Sequence, residues 1–281
     1  MNHSQKSYLF RRVRGTILIA AIWVLVFFVI LSVGVSAGIS AQIRVFKKLE
    51  DLVLGAPLAR SACLDIIGER RDAEKDFDTA ADLARVRVFA AGNSRAEYSL
   101  ADESARINLN TASAEVLARL PGLDPVLAGN MARAPRPFAV PEQARLVEGI
   151  DAKVWAQCQG YLTVYSDGKV NVNTASAEVL RALGFDEDLA GAVLDLRAGP
   201  DGVAGTDDDG HFEDAGAMAQ ALARERTLSD AQRSALGLLA GQLSVRASAL
   251  TASIRTFIMG RRGVDYTVVL DQEKIRRWSE Q

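Results

Sequence analysis

An α+β fold is predicted, with a long N-terminal helix, an antiparallel sheet and a large α-helical domain inserted into that sheet. Three observations predict it. Apolar residues recur at helical spacing from the apolar N-terminal run to about Gly92, period-two segments lie on both sides of a long helical stretch, and the octapeptide NTASAEVL occurs twice in that stretch, at 110–117 and 173–180. The 281 residues, 49% of them hydrophobic, suffice for one large domain or two modest ones. Aromatics are scarce, so the interior is expected to consist of small and aliphatic side chains in close helix packing. A formal net charge of -2 lacks the basic excess of a general polyanion binder.

Lys6, Arg11, Arg12 and Arg14 precede TILIAAIWVLVFFVILSVGVSAGISA, residues 16–41, which carry no charge. A run of that length spans a membrane. The positive-inside rule then leaves the rest of the chain outside the cytoplasm. A cleaved secretory signal has an apolar core of only about 7 to 15 residues, and a buried core helix fits poorly with an arginine-rich flank. The basic leader ends in Gly15, immediately before the apolar run, and this arrangement resembles the leader of type IV pilin-like proteins. That resemblance implies cleavage after Gly15 by a prepilin peptidase, with Thr16 as the new, methylated N-terminus. Position five of the mature chain is then Ala20, where most of that class has glutamate.

From Gln42 to about Gly92, Phe46, Leu49, Leu52, Val53, Leu58, Cys63, Ile66, Ile67, Leu83, Val86 and Phe89 keep helical spacing, with a break expected near 55–57. AEYSLADESARINLN alternates around a polar turn at 102–104, which predicts a hairpin. At Thr111 the period changes to about 3.6, and helices are expected to about Gly237, interrupted by the short alternating runs of YLTVYSDGKVNVN. Strand-like sequence returns in QLSVRASAL, IRTFIMG and YTVVLDQ, so the strands before and after the helical segment can pair in space.

Each NTAS copy has a local explanation: Asn110 or Thr111 can cap the helix start, with Ser113 opening the sequence Ser-Ala-Glu, and Asn173, Thr174 and Ser176 are the equivalents in the second copy. Glu115 and Glu178 fall in the first turn, where the helix dipole favours them. LARLPGLDPVLAGNM also resembles a helix-hairpin-helix, a small DNA-binding module in which two hairpin glycines let backbone amides approach a phosphate. Both copies carry aspartate, Asp124 and Asp186, in place of the second glycine, and Glu187 and Asp188 follow in the second. A fixed carboxylate there repels phosphate, so packing is the expected role and nucleic-acid binding is disfavoured.

The leader, Ala20, ADESARINLNTAS, GKVNVNTAS and SVRASALTASIRTFIMG together resemble the K family of type II secretion minor pseudopilins, over nearly the whole chain. The family implies a pilin-like domain with a helical insertion holding two helix-hairpin-helix-like units. Its expected divisions are a leader at 1–15, a membrane and assembly helix at 16–41, helix and first strands at 42–109, the insertion at 110–237 and returning strands at 238–281. It further implies a single-pass inner-membrane protein with a periplasmic ectodomain at the tip of a short pseudopilus. The implied partners are the I and J minor pseudopilins, the major pseudopilin and the prepilin peptidase. The other readings are a membrane-anchored DNA-uptake protein and a minor pilin of a type IV pilus.

RAGPDGVAGTDDDGHFED gathers Asp201, Asp207, Asp208, Asp209, Glu213 and Asp214 in a glycine-rich loop, residues 199–214 of the insertion. Like charges at this density repel unless a cation intervenes, and calcium takes several oxygens at flexible angles. K-family resemblance implies calcium in the insertion. Asp201, Asp207 and Asp209 lead the ligand choice, with Asp208 and Glu213 beside them. The spacing is not that of an EF-hand. Cys63 and Cys158 are the only cysteines and form either one disulfide or two buried thiols. No nucleophile stands beside a base and no phosphate-cradling signature occurs, so a non-enzyme is expected.

Overall fold

The computed structural model describes residues 4–206, 208–271 and 274–281, apart from the side chains of residues 4–17, Ala41, Leu52 and Glu225. The first helix, α1 (Ser4–Arg71), is continuous. Pro57 lies inside it, so the expected break at 55–57 is absent: proline removes one backbone hydrogen bond there without ending the helix. The chain divides into a unit of residues 1–54 and one of residues 55–281. In the first, Trp23, Phe27, Phe28 and Ile30 are exposed, and the helix is long and apolar enough to cross a membrane.

In the second unit α1 buries Leu58, Ala59, Ala62, Cys63 and Ile66, a stripe at helical spacing, against a sheet. Gly55 meets the sheet so closely that a Cβ there would fall 2.9 Å from the Tyr266 hydroxyl. A short helix, α2 (Ala80–Ala84), precedes β1 (Arg87–Ala91) and β2 (Ser94–Asp102). Helix was expected through Phe89; Gly92, in the left-handed region, instead turns the chain between these two strands. Strand β2 exposes and buries alternate residues, with Ala96, Tyr98 and Leu100 facing α1.

The expected hairpin at 102–104 does not form. Residues 103–105 make one 3-10 turn, and the chain leaves the sheet for β3 (Ile107–Asn108). The first repeat continues through α3 (Ala114–Leu117), α4 (Pro125–Arg133), α5 (Ala152–Cys158) and β4 (Leu162–Thr163). The second follows the same order: β5 (Val170–Asn171), α6 (Ala177–Leu183), α7 (Glu187–Ala198), α8 (Met218–Glu225), α9 (Asp230–Leu239) and β6 (Leu243–Ser244). In each repeat the leading strand pairs in parallel with the strand that closes it, β3 with β4 and β5 with β6. Both repeats share one hydrophobic core, including Leu117, Met131, Cys158, Leu180, Val193 and Leu222.

The chain then returns as β7 (Ala249–Ile258), β8 (Arg261–Asp271) and β9 (Ile275–Glu280). Strand order is β1-β2-β7-β8-β9, antiparallel throughout. Asp102 pairs with Leu250, so the insertion leaves and re-enters the sheet at one point. Strand β9 has no counterpart in the expected list of strands, because IRRWSE alternates weakly. Cys63 lies in the helix–sheet core and Cys158 in the repeat core, both as buried free thiols, which decides against a disulfide. Burial pushes the Cys63 thiol up to about 12.

Candidate functional site

The duplicated octapeptide builds the same set of contacts twice. The first asparagine of each VN/IN pair accepts from the backbone two residues on: Asn108 Oδ1 from Asn110 N (2.8 Å), Asn171 Oδ1 from Asn173 N (3.0 Å). The second asparagine then clasps a distant phenylalanine. Asn110 accepts from Phe138 N (2.7 Å) and donates to Phe138 O (3.1 Å); Asn173 accepts from Phe212 N (2.8 Å) and donates to Phe212 O (2.9 Å). An arginine secures each copy, Arg136 donating to the carbonyls of Asn110 and Ala112, and Arg197 to that of Ala175. Burial lowers the Arg197 guanidinium from its ordinary range.

Helix capping falls to the serines alone. Ser113 Oγ accepts from Val116 N and Ser176 Oγ from Val179 N, while the Thr111 hydroxyl donates back to the carbonyl of Asn108 and the Thr174 hydroxyl lies 3.3 Å from that of Asn171. Asn110 and Asn173 stand three residues before each cap, so the caps expected of them are replaced by the clasps. Sequence reading missed the clasps, whose one signal is a lone phenylalanine after the second helix of each repeat.

Asp124 and Asp186 have a positive role. Asp124 Oδ1 accepts from Val126 N (2.9 Å) and Leu127 N (2.8 Å), and Asp186 Oδ1 from Leu189 N (2.7 Å). Each aspartate therefore occupies the free backbone donors that a hairpin would offer to phosphate.

The acidic loop is inserted at one definable place. The chain needs only residues 134–137 to pass from α4 to Phe138, but residues 199–211 to pass from α7 to Phe212. Gly210 N donates to Leu196 O (3.0 Å), closing the loop at its base. Gly199 has φ +63°, and a Cβ there would fall 2.5 Å from Asp208 O. Within the loop, the Thr206 hydroxyl reaches Asp208 Oδ1 (2.7 Å) and Asp209 Oδ1 (3.3 Å). Asp208 Oδ2 accepts from Asp201 N (3.2 Å), Asp201 Oδ1 from Val203 N (2.7 Å) and Asp209 Oδ2 from Gly205 N (2.6 Å). The Thr206 hydrogen bond holds the Asp208 carboxyl below its ordinary value.

Asp208 and Asp209 thus share the Thr206 hydroxyl, and Asp201 joins them through its backbone N–H to Asp208; the side-chain donors of this loop are all oxygen, the type a hard cation takes. Glu213 is directed elsewhere, its Oε1 lying 4.0 Å from His211 Nε2, and His211 stacks on Phe77 at 4.2 Å between ring centroids. Asp207 lies outside the described residues. Among the described residues no three acidic, histidine or cysteine side chains converge on one point. Gly15 and Thr16 fall in α1 with side chains outside the description, and Ala20 is exposed on it.

Residues 102–163, the first repeat, match the helix-hairpin-helix motif, and residues 170–238, within the second, match Type II secretion system (T2SS), protein K. The fold matches a chain of the crystal structure of the GspK-GspI-GspJ complex from the type 2 secretion system of enterotoxigenic Escherichia coli. The TM-score is 0.57 at 15% identity, covering 83% of this chain and 95% of that one. No curated protein matches. Long helix, antiparallel sheet and a helical insertion between its strands, with a helix-hairpin-helix motif in the first repeat, make this the fold of that chain. In its second repeat, and in that fold, the chain is similar to the type II secretion system protein K family.

Proposed function

We propose that this chain is a structural subunit of the type II secretion pseudopilus that sits at its tip with the I and J minor pseudopilins, supporting assembly and protein export. The observation that carries the reading is the insertion itself, a protein K segment placed between β2 and β7 of a pilin-like sheet. The solved relative was crystallised as a GspK-GspI-GspJ complex, which favours partners of the same two types here. The apolar helix serves as a single-pass inner-membrane anchor with a periplasmic ectodomain, and then as the packing element among neighbouring subunits, the major pseudopilin included. In pilin-like filaments the glutamate at position five neutralises the N-terminal amine of a neighbour, since a buried unpaired charge is costly. Ala20 cannot do so, which suits a subunit with none above it. Prepilin peptidase would release Thr16 as the mature N-terminus.

The acidic loop is proposed to hold calcium, with Asp201, Asp207 and Asp209 as the leading ligands and Asp208 and Glu213 as further candidate carboxylates. Bound there, the ion would screen the mutual repulsion of the loop and fix its conformation. Its role in this reading is structural, and the protein is not an enzyme.

The test is co-purification of the chain with the I and J subunits of its own system. A stable ternary complex supports the reading, and failure of all three to associate at micromolar concentration sinks it. Mass spectrometry of the membrane-extracted chain should give Thr16 as the first residue. The match to a helix-hairpin-helix motif keeps a DNA-uptake role as the second reading. Tight, salt-sensitive band shifts would favour that role, but the capping aspartates argue against it.

A further inference from the structure

Two adjacent buried carboxylates stand where the sheet hands over to the repeats: Asp102, 6% exposed, and Glu103, 3% exposed. Glu103 accepts from the Thr163 hydroxyl of β4 and the Thr251 hydroxyl of β7, and Arg106 compensates its charge at 3.1 Å. Asp102 has different company. Its Oδ1 accepts from Ser104 N (2.6 Å), and its Oδ2 accepts from Asn171 Nδ2 (2.8 Å) and the Thr174 hydroxyl (2.7 Å), both in the second repeat. The charged group that acts on it from the 72–79 segment is another acid, Asp78. Asp78 is itself engaged by Arg70 of α1 (2.8 Å) and by Ala247 N (2.7 Å).

We infer that Asp102 is a proton-operated latch between the sheet and the second repeat, tightest when its carboxyl is protonated. The geometry supplies both states. As a carboxylate, Asp102 takes the Thr174 hydroxyl proton. As a carboxylic acid it donates to Thr174 Oγ1, whose own proton then turns to Asn171 O, already within 3.3 Å. Nothing is left unpaired in either state, and only the buried charge is lost on protonation. Burial accordingly pushes the Asp102 carboxyl up to about 6, against its three hydrogen-bond donors and with Asp78 adding repulsion.

The sign follows from linkage. An opened joint returns Asp102 to water and to an ordinary value near 4. The closed joint therefore holds its proton more tightly, and its advantage is full below about pH 4 and lost as pH rises through about 6. About two pKa units correspond to a roughly 100-fold change in the opening equilibrium across that window.

The experiment is hydrogen exchange on the full chain in detergent micelles, following residues 102–108 and 170–176 from pH 4 to 7.5 and correcting for intrinsic exchange rates. Opening should increase toward roughly 100-fold in the wild type and by less than about threefold in Asp102→Asn, which is neutral throughout. The carboxyl carbon resonance of Asp102 in the wild-type chain gives a second reading that needs no variant. A midpoint near 6 supports the latch; a midpoint near 4, or opening that rises equally in wild type and Asp102→Asn, overturns it.

Discussion

Replacing Asn173 by alanine should separate a structural clasp from a merely well-placed asparagine. Its amide makes two hydrogen bonds to the backbone of Phe212, and both residues are buried, Asn173 at 3% and Phe212 at 1% exposure. Alanine leaves the Phe212 N–H and C=O unpaired in a site that water does not reach freely. At about 1–3 kcal/mol for each buried group left unmade, the loss should be about 3 kcal/mol. Asn110 makes the same two bonds to Phe138 from a half-buried position, where water can replace the amide, so Asn110→Ala should cost only about 1 kcal/mol. Asn173→Asp keeps the acceptor for Phe212 N but sets a carboxylate oxygen against Phe212 O, and should be no better than alanine. Urea denaturation of residues 55–281, which form one compact unit, measures all three. The reasoning is refuted if Asn173→Ala costs no more than Asn110→Ala, or if neither shifts the midpoint measurably.

Ser113→Ala and Ser176→Ala should each cost about 1 kcal/mol in the same assay, since each removes one helix cap. Asp124→Gly restores the glycine of a phosphate-binding hairpin but removes the cap of α4; the expected result is reduced stability, of the order of 1 kcal/mol or less, measured by the same denaturation. Gly199→Ala adds a Cβ against the Asp208 carbonyl in a left-handed backbone position, so calorimetry should show calcium affinity reduced at least about tenfold, if the loop binds the ion as proposed. Thr206→Val removes the hydrogen bond that holds the Asp208 carboxyl down. Because that carboxyl is depressed in the fold, its contribution is present above the ordinary carboxylate range and fades as pH falls through its lowered value. In the valine variant, carboxyl NMR should show the Asp208 midpoint moving up toward its ordinary value.

Local periodicity made much of this protein legible. The apolar run, the helices of the repeats, the doubled octapeptide, the acidic loop and the two aspartates that replace hairpin glycines are all short-range features. Physical forces within a turn or two of helix fix them. Pairing was less accessible, because a strand shows which residues alternate but not which distant strand completes it. The residues around 102–104 looked like a hairpin turn, yet β2 turns away there and its partner is β7, with a register of Asp102 against Leu250. Phe89 fits a helical stripe as well as a strand, and Gly92 decided the matter by turning the chain back.

The same division runs through the candidate sites. That Asp201, Asp208 and Asp209 share a loop is plain in the sequence; that Thr206 joins Asp208 to Asp209 while Glu213 turns to His211 depends on where Gly199 and Gly210 fold the loop. The octapeptide announces a duplication by itself. Only the tertiary structure gives Asn110 and Asn173 their partners, 28 and 39 residues away, and only the join of sheet and repeats buries Asp102 beside Asn171, Thr174 and Asp78. Sequence determined the helices, the repeat and the composition of the loop because those follow from neighbours along the chain. Tertiary structure decided the pairing, the clasps and the proton affinity of Asp102 because those depend on which groups are brought together out of water.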